Sequence, residues 1–387
     1  MTTATTSTQT AIVGGADGDI VLSHSAPLPP SPLEDDQVAI SVRAVSLNPV
    51  DTKMTGGYHT VGAISGCEFA GIVTEVGRTA MSDWNINVGD RVTAAIMGMN
   101  PLRPRIGAFA EHSVAPARCV LKMRDDWDFA KSAGIGNAWY TMGWALFHVM
   151  GLPAGPELEP LNSHLKPPKL DGPRIDINNF DGPNAKKMIV LVSGGSSSTG
   201  TCAIQLLKMA GFRVVATCSE RNFDLVRSYG ADAVFDHSSP TTAADIKAYT
   251  GNGLRLALDC ITTLETTQLC YDLIRRTGGR YVALDPYSEA IASTRAAIKA
   301  DWVFGPELIG EEIAWPAPHG RQANPAARTF CDTWNRTLQR LLDEGKIRTH
   351  AQLVRDTGLA GALEGFQDIL AKKVSGQKLT YTLERHS

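Results

Sequence analysis

The stretch Met188–Gly211, MIVLVSGGSSSTGTCAIQLLKMAG, decides the fold of this chain. It opens with an apolar, β-branched run typical of a buried strand, and a turn rich in glycine and serine follows. Beyond the turn, apolar residues recur at the i, i+3, i+4, i+7 spacing of one helix face: Ala203, Leu206, Leu207 and Ala210. Because such a turn lets backbone N–H groups and a helix N-terminus approach a pyrophosphate, the stretch predicts a nucleotide-binding βα unit.

Five further apolar runs follow this unit: RVVATC, DAVFD, LRLALDC, RYVALDP and DWVFG. Amphipathic segments separate most of them. Strands that are apolar throughout and alternate with helices predict a parallel sheet covered on both faces. Six such strands fit a doubly wound, Rossmann-type α/β domain over residues 188–339. The glycines do not match GxGxxG strictly, so the prediction depends on the surrounding pattern.

The first part of the chain has a different rhythm. Short β-rich runs such as VAISVRAVSLN and VGDRV are separated by turn residues, which predicts a compact, barrel-like β domain. A helical pattern follows from Asp126 to Met150. Residues 151–187 hold seven prolines and predict an inserted surface loop. The last residues are expected to return to the first domain, which would then comprise 11–150 and 340–387.

Composition and cysteine usage exclude several classes. The 37 Lys and Arg against 40 Asp and Glu give a net charge of −3, which argues against nucleic-acid or anionic-membrane binding. The seven cysteines are scattered, contain no CxxC pair and show no zinc-ligand spacing, so we expect reduced thiols and no metal. The first ten residues have neither the basic nor the apolar region typical of a secretory signal, so we expect none, and no apolar stretch reaches the roughly 18–20 residues of a membrane helix. We expect a cytoplasmic protein.

The residues after RVVATC predict which nucleotide is bound. An NAD site places Asp or Glu about 20 residues beyond the glycines to hold the ribose 2′-hydroxyl. Ser219 occupies that position here, and Glu220, Arg221 and Asn222 follow. A hydroxyl and a guanidinium suit a 2′-phosphate, so we expect NADPH, with Glu220 pointing to solvent. The alternative is that Arg221 only solvates the surface.

One motif of the first domain resembles a known superfamily signature. GCEFAGIVTEVG (Gly66–Gly77) is similar to the GHExxGxxxxxG pattern of medium-chain dehydrogenases/reductases, and VGDRV follows it. This resemblance implies a GroES-like β-rich catalytic domain beside the Rossmann domain. Zinc alcohol dehydrogenases have His where this chain has Cys67 and Cys where it has Asn48. The chain therefore resembles the zinc-free branch of quinone and enoyl reductases.

Within that branch the resemblance narrows to the trans-acting enoyl reductases of fungal polyketide pathways, of the lovastatin-pathway type. Its motifs are NPVDTKM, ATCSERNFDLVRSYGADAVFDH, LRLALDCIT, DWVFGPELIGEEIAWPAPHGR and VSGQKL, and WPAPHGR is the more specific element. The resemblance implies reduction of an α,β-unsaturated thioester on the acyl carrier domain of an iterative polyketide synthase or a synthase–peptide synthetase hybrid.

The resemblance also implies site residues. Those expected to bind the cofactor are Val50, Asp51, Thr52, Lys53, Ser196, Ser197, Ser198, Thr199, Ser219, Glu220, Arg221, Asn222, His237, Leu284, Asp285, Val374 and Ser375. His237 stands where the family has a tyrosine. Those expected along the substrate are Gly143, Trp144, Ala145, Leu146, Phe147, His148, Val149, Met150, Gly305, Pro306, Glu307, Leu308 and Ile309.

Conjugate reduction needs orientation and a donor near the thioester oxygen more than it needs a reactive side chain. Lys53 is the candidate catalytic residue, steadying the cofactor or the enolate; the alternative is a surface lysine. Tyr58 and Tyr140 are possible proton donors or packing residues. The aromatic helix around Trp144 and Phe147 lines either an acyl tunnel or the core.

Two other functions and one oligomeric state follow as hypotheses. A small-molecule enone or quinone reductase would share the cofactor site, whereas a catalytically silent scaffold would bind nucleotide without turnover. Superfamily dimers pair the edge strand of the cofactor domain. Here Trp315-Pro316-Ala317-Pro318 is expected to follow that edge, and prolines oppose strand pairing, so we predict a monomer.

Overall fold

The computed structural model describes residues 8–155, 158 and 188–383. The chain divides into two compact units. The first comprises Met1–Tyr140 and Pro306–Ser387, and the second comprises Thr141–Gly305. The predicted inserted loop at 151–187 lies outside the described residues except for 151–155 and 158. No helix in the described ranges is both long and apolar enough to cross a membrane.

A six-stranded parallel sheet forms the centre of the second unit. Its spatial order is β10-β9-β8-β11-β12-β13, the order 3-2-1-4-5-6 of a doubly wound dinucleotide-binding sheet. The strands are β8 (Ile189–Ser193), β9 (Arg213–Cys218), β10 (Ala233–Asp236), β11 (Leu256–Asp259), β12 (Gly279–Ala283) and β13 (Ile298–Trp302). The central strands are buried almost throughout, as their apolar sequences predict. The predicted fold class is present.

Helices connect these strands. They are α4 (Ser198–Met209), α5 (Phe223–Ser228), α6 (Thr242–Thr250), α7 (Leu264–Leu273) and α8 (Glu289–Ala292). In α4 all residues from Gly200 to Leu207 are buried. The sixth predicted run, DWVFG, is only partly a strand, because β13 covers Ile298–Trp302 and ends within that run. Val303 and Phe304, both buried, lie beyond its end.

The first unit is built on β-strands. A seven-stranded sheet has the path β14-β15-β3-β4-β5-β7, with β6 paired to β3, and β1 pairs with β2 separately. The strands are β1 (Thr8–Gly14), β2 (Ile20–Pro27), β3 (Gln37–Ser46), β4 (Glu68–Val76), β5 (Arg91–Ala95), β6 (His112–Pro116), β7 (Val120–Lys122), β14 (Gln352–Arg355) and β15 (Lys378–Thr382). Because β15 pairs with β3, the C-terminal residues return to the first domain as predicted.

Helices complete the first unit: α1 (Arg78–Trp84), α2 (Phe129–Ala133), α3 (Gly136–Gly143), α9 (Pro325–Asp343) and α10 (Gly358–Leu370). Helix α3 crosses the unit boundary and continues as a π-helix, Trp144–Val149. Short 3₁₀ segments are Pro49–Lys53, Gly56–Tyr58, Ala117–Cys119, Glu220–Asn222 and Gly305–Ile309.

The return to the first unit starts earlier than the sequence predicted. The boundary lies at Pro306 and not near residue 340. Helix α9 makes the difference, because its buried side chains bond to the β domain: Trp334 Nε1 donates to Trp139 O at 3.0 Å, and Asn335 Nδ2 donates to Val120 O at 2.8 Å. These partners are distant in sequence, so local patterns could not show them.

Candidate active site

The second unit carries a glycine-rich turn, Gly194–Gly200, between β8 and α4, and we call it the phosphate turn after the group that the sequence predicts there. Gly194 has φ +80°, a backbone conformation that favours glycine. A Cβ on Gly200 would lie 2.3 Å from Gly194 O, so the turn closes only around a glycine. Ser197 caps α4, accepting from Gly200 N at 3.0 Å and donating to Gly194 O at 2.8 Å. The predicted residues Ser196, Ser198 and Thr199 lie on this turn, where they fit a pyrophosphate.

A second polar group lies at the same edge of the sheet. We call it the ribose edge: Ser219–Asn222 after β9 and His237 after β10. Ser219 Oγ and His237 Nε2 are 3.2 Å apart, and Asn222 Nδ2 donates to Ser196 Oγ at 3.3 Å. Asn222 is buried, whereas Glu220 and Arg221 are exposed, as predicted for Glu220. The carboxyl ends of parallel strands thus bring residues far apart in sequence to one edge.

Leu284 and Asp285 follow β12 at this edge and are half-buried. Leu284 N donates to Asp259 O at 3.2 Å and to Thr262 Oγ1 at 3.3 Å. The Asp259 carboxylate is buried and accepts from the backbone of Ile261 and Thr262. The predicted nicotinamide-side residues of this unit therefore lie on a turn held by hydrogen bonds.

The first unit holds a buried polar cluster formed by Asn48, Asp51, Glu68 and Lys378. Lys378 Nζ lies 2.5 Å from Glu68 Oε1 and donates to Asn48 Oδ1 at 2.7 Å. Asn48 Nδ2 donates to Glu68 Oε1 at 2.8 Å, and Glu68 Oε2 accepts from Asn137 N at 2.9 Å. The Lys378 side chain is 4% exposed and that of Glu68 is fully buried. The cluster thus satisfies a buried charge pair with several hydrogen bonds.

This cluster fixes the turn that carries the predicted residues Val50–Lys53. Asp51 Oδ2 accepts from Asn48 N at 2.7 Å, and its side chain is fully buried. This buried hydrogen bond stabilises the turn. Burial raises the pKa of Asp51 to about 7. Thr52 Oγ1 donates to Pro49 O at 2.8 Å, and Lys53 is exposed. Val374 and Ser375, both half-buried, precede Lys378, which links their segment to this turn.

Cys67 lies beside Asp51 in the same interior. Burial, followed by the nearby Asp51 carboxylate, raises the pKa of its thiol well above the ordinary value, which disfavours the thiolate that metals bind. Among residues 8–155, 158 and 188–383, no group of three or more His, Cys, Asp or Glu side chains is placed to hold a metal ion. Glu68 meets the ammonium of Lys378 in this cluster.

The predicted substrate residues fall into two places. Gly143–Met150 belong to the second unit, and their side chains are buried apart from the half-buried His148, whose ring stacks on Trp144 at 3.8 Å. Met150 O accepts from Arg280 Nη1 at 2.6 Å. Side chains buried to this extent are typical of a hydrophobic core. The Gly305–Ile309 segment contains the unit boundary, and Glu307 accepts there from Asn324 Nδ2 at 2.7 Å.

The two candidate tyrosines have different surroundings. Tyr140 is buried, its hydroxyl accepts from Asn335 Nδ2 at 2.5 Å, and burial raises its pKa well above the ordinary value. Tyr58 is half-buried, and its hydroxyl lies 2.9 Å from His319 Nδ1. Tyr140 is therefore a packing residue, while Tyr58 keeps an imidazole partner. Sequence reasoning missed His319, Glu68 and Lys378 as partners; a lysine inside the strand KLTYT was the one local signal.

Comparison with known proteins first defines the class. Residues 34–125 match the family model of the alcohol dehydrogenase GroES-like domain, and residues 198–297 match that of zinc-binding dehydrogenases. The solved CurK enoyl reductase has a TM-score of 0.69 at 16% identity, covering 97% of this chain and 99% of its own. An alcohol dehydrogenase superfamily protein from Novosphingobium aromaticivorans has a TM-score of 0.70 at 20% identity, covering 98% of this chain and 100% of its own. The fold is that of the medium-chain dehydrogenases/reductases, which implies a nicotinamide cofactor.

Curated relatives then define the family. Trans-enoyl reductase tasC of Hapsidospora irregularis is 71% identical over 99% of this chain and 100% of its own length. Trans-enoyl reductase cghC of Chaetomium globosum is 65% identical over 97% and 98% respectively. Fsa3 of a Fusarium species, also a trans-enoyl reductase, is 48% identical over 97% and 99%. The chain belongs to the trans-enoyl reductases, which confirms the predicted family of fungal polyketide biosynthesis and an oxidoreductase acting on a carbon–carbon double bond.

Proposed function

We propose that this trans-enoyl reductase reduces an α,β-unsaturated polyketide thioester carried on the acyl carrier domain of a partner iterative polyketide synthase or synthase–peptide synthetase hybrid. The observation that carries the proposal is the 71% identity to a trans-enoyl reductase over the whole of that relative. Similarity at this level and coverage supports a shared reaction and a shared kind of partner.

We propose NADPH as the cofactor. When bound, it supplies the hydride that goes to the β-carbon of the enoyl group. The phosphate turn would hold the pyrophosphate through backbone N–H groups and the hydroxyls of Ser196 to Thr199. The ribose edge supports a 2′-phosphate, because the end of β9 carries Ser219 with His237 at 3.2 Å and no carboxylate stands at that position. Arg221 is exposed there and adds positive charge.

Residues of the first unit would position the reacting groups. The buried polar cluster fixes the Pro49–Lys53 turn from below, so the exposed Lys53 ammonium is presented from a rigid base. We propose that Lys53 steadies the cofactor or the enolate oxygen that gains charge during reduction. Val50, Thr52, Val374 and Ser375 would line the same end of the site, with Asp51 acting through the turn it closes.

Reconstitution tests the reaction. The purified chain is combined with a partner synthase, its acyl substrates and NADPH, and the product mass is compared with and without the chain. We expect a gain of two hydrogens per reduced double bond in the synthase product. Equal turnover of free enones would instead favour a small-molecule reductase, and NADPH binding with no turnover would favour a silent scaffold.

The cofactor is tested by binding. Ser219→Asp places a carboxylate where an NAD site has one, so it repels a 2′-phosphate and accepts from a ribose 2′-hydroxyl. We expect NADPH affinity to fall about tenfold or more, roughly 1.4 kcal/mol, and NADH affinity to rise. Titration by nucleotide fluorescence measures both. Asp272→Asn, a conservative change at an exposed acidic residue of α7 outside the ribose edge, is the control and should keep the wild-type preference. Unchanged preference in Ser219→Asp contradicts the proposal.

We also propose that the chain is a monomer. Trp315–Pro318 belong to the first unit and are not part of β13, which ends at Trp302, so their prolines are not the reason to expect a monomer. The edge strand itself carries Lys299 and Asp301, and charged residues on an edge oppose strand-to-strand pairing. Sedimentation should give a mass near 41.5 kDa; twice that value contradicts the proposal.

A further inference from the structure

The Trp315–Arg321 segment, WPAPHGR, is the sequence element that the proposed function leaves without a role. It forms a closed loop in the first unit. Ile313 and Arg321 exchange backbone hydrogen bonds of 2.9 and 3.0 Å, and the N–H groups of His319 and Gly320 both donate to Pro316 O at 3.1 Å. The loop therefore has a defined shape at the position of His319.

Side chains and packing hold this loop in place. Trp315 is buried, and its Nε1 donates to Met99 O at 3.1 Å. A Cβ on Gly320 would lie 2.3 Å from Trp315 O, so only glycine lets the loop close at that point. Because both ends of the loop are fixed, the backbone that carries the half-buried His319 is held in place.

Tyr58 packs against two side chains of this loop, Trp315 and His319. Its ring packs edge-on against Trp315 at 5.3 Å and against His319 at 5.0 Å, and its hydroxyl lies 2.9 Å from His319 Nδ1. Tyr58 is in the Gly56–Tyr58 turn, which follows the Pro49–Lys53 turn directly. The tyrosine hydroxyl is thus positioned from two sides: by the turn that carries it and by the imidazole.

We infer that Tyr58 is the proton donor of the reduction and that His319 is the positioning residue that orients its hydroxyl and restores its proton. The inference rests on the proposed function. An imidazole can accept a proton at one nitrogen while it gives one up at the other, which the amide beside Tyr140 cannot do. A half-buried hydroxyl with an imidazole partner suits general acid catalysis, which needs a positioned proton donor.

The proton balance is complete. As the hydride reaches Cβ, the electron pair of the double bond moves to Cα and the thioester carbonyl, giving an enolate. Cα takes the proton of the Tyr58 hydroxyl, which leaves a phenolate. His319 gives its Nδ1 proton to that phenolate as the ring takes up one proton from solvent, and exchange with solvent then returns the ring to its Nδ1–H form. Each turnover consumes one hydride from the cofactor and one proton from solvent.

Variants of both residues test the inference in the full chain with its synthase. Tyr58→Phe should lower kcat about 100-fold, the lower end of what a positioned acid supplies, and leave NADPH affinity unchanged. His319→Ala should lower kcat at least tenfold, and added imidazole should restore part of the loss. It should also change the solvent deuterium isotope effect on kcat. A merely structural histidine would show neither response.

Matched controls separate the proton pair from general damage. Tyr249→Phe removes another tyrosine hydroxyl, one bonded to Arg213 in the second unit, and His24→Gln replaces a surface histidine; both should keep wild-type kcat. Wild-type kcat in Tyr58→Phe, or a loss in His319→Ala that imidazole does not restore, overturns the inference. Loss of NADPH binding in either variant also overturns it. Failure of the wild-type chain to oxidise NADPH with any synthase contradicts the proposed function instead.

Discussion

The buried polar cluster of the first unit and the ribose edge of the second are both built from polar side chains, yet they differ in what surrounds them. In the cluster, Lys378 and Glu68 are almost fully buried, and each has partners within the protein. At the ribose edge, His237 and Arg221 are exposed, and the contact between Ser219 and His237 is a long 3.2 Å.

This difference distinguishes a buried cluster that stabilises the fold from an exposed edge that suits ligand binding. A buried ion pair whose hydrogen bonds are satisfied inside the protein has nothing left to offer a ligand, and it holds the chain segments that it joins. An exposed group can exchange water for a ligand at little cost. The cluster therefore explains why the Pro49–Lys53 turn is fixed, and the ribose edge explains how a nucleotide could be chosen.

The largest expected effect comes from breaking the cluster. Lys378→Met leaves the Glu68 carboxylate buried without its cation, so we expect the free energy of unfolding to fall by about 3–5 kcal/mol. Chemical denaturation followed by tryptophan fluorescence measures it. Arg78→Ala breaks the exposed pair with Asp35, whose side chains are 80% and 57% exposed, and should have no measurable effect. Equal stability of Lys378→Met and wild type would show that the pair is not a support.

A pH titration sharpens the comparison at Asp51. Its folded-state pKa is raised by burial to about 7 from 3.8, so the folded protein binds a proton that the unfolded chain has released between these values. This contribution to stability is complete at low pH and is lost as the pH rises towards 7. Asp51→Asn removes the titrating group. The free energy of unfolding of the wild type, relative to that of Asp51→Asn, should therefore decline by up to about 1.4 kcal/mol per pH unit and level off above pH 7.

Urea unfolding of both proteins between pH 4.5 and 8 measures this difference. The other groups that face Asp51, namely Cys67, Glu68 and Lys378, are common to both proteins and cancel in the comparison. Curves that stay parallel over the whole range would mean that Asp51 does not hold the proton.

The smallest expected effect lies on the recognition side. A Cβ at Gly200 would meet Gly194 O at 2.3 Å, so Gly200→Ala should open the phosphate turn and weaken NADPH binding about tenfold, roughly 1.4 kcal/mol. Calorimetric titration measures the affinity. Gly253→Ala, whose nearest neighbour within reach would be Thr250 O at 3.2 Å, should bind as the wild type does. Equal NADPH affinity of Gly200→Ala and Gly253→Ala would contradict a role of the phosphate turn in cofactor binding.

The sequence by itself determined the second unit and its phosphate turn. Strand, glycine turn and helix are local features, and the strand order follows because right-handed crossovers between buried parallel strands leave few alternatives. The residues Ser219 and His237 could be placed at one edge for the same reason: each directly follows its strand.

Only the tertiary structure decided the rest. Lys378 meets Asn48 across 330 residues, and His319 meets Tyr58 across 261, so no periodicity or spacing could pair them. The sequence of α9 has the pattern of an ordinary amphipathic helix and does not show which unit the helix packs against. In the structure its side chains bond to the first unit, so that unit begins again at Pro306. Burial and partner choice are properties of the folded chain, because they depend on which distant segments fill the same space.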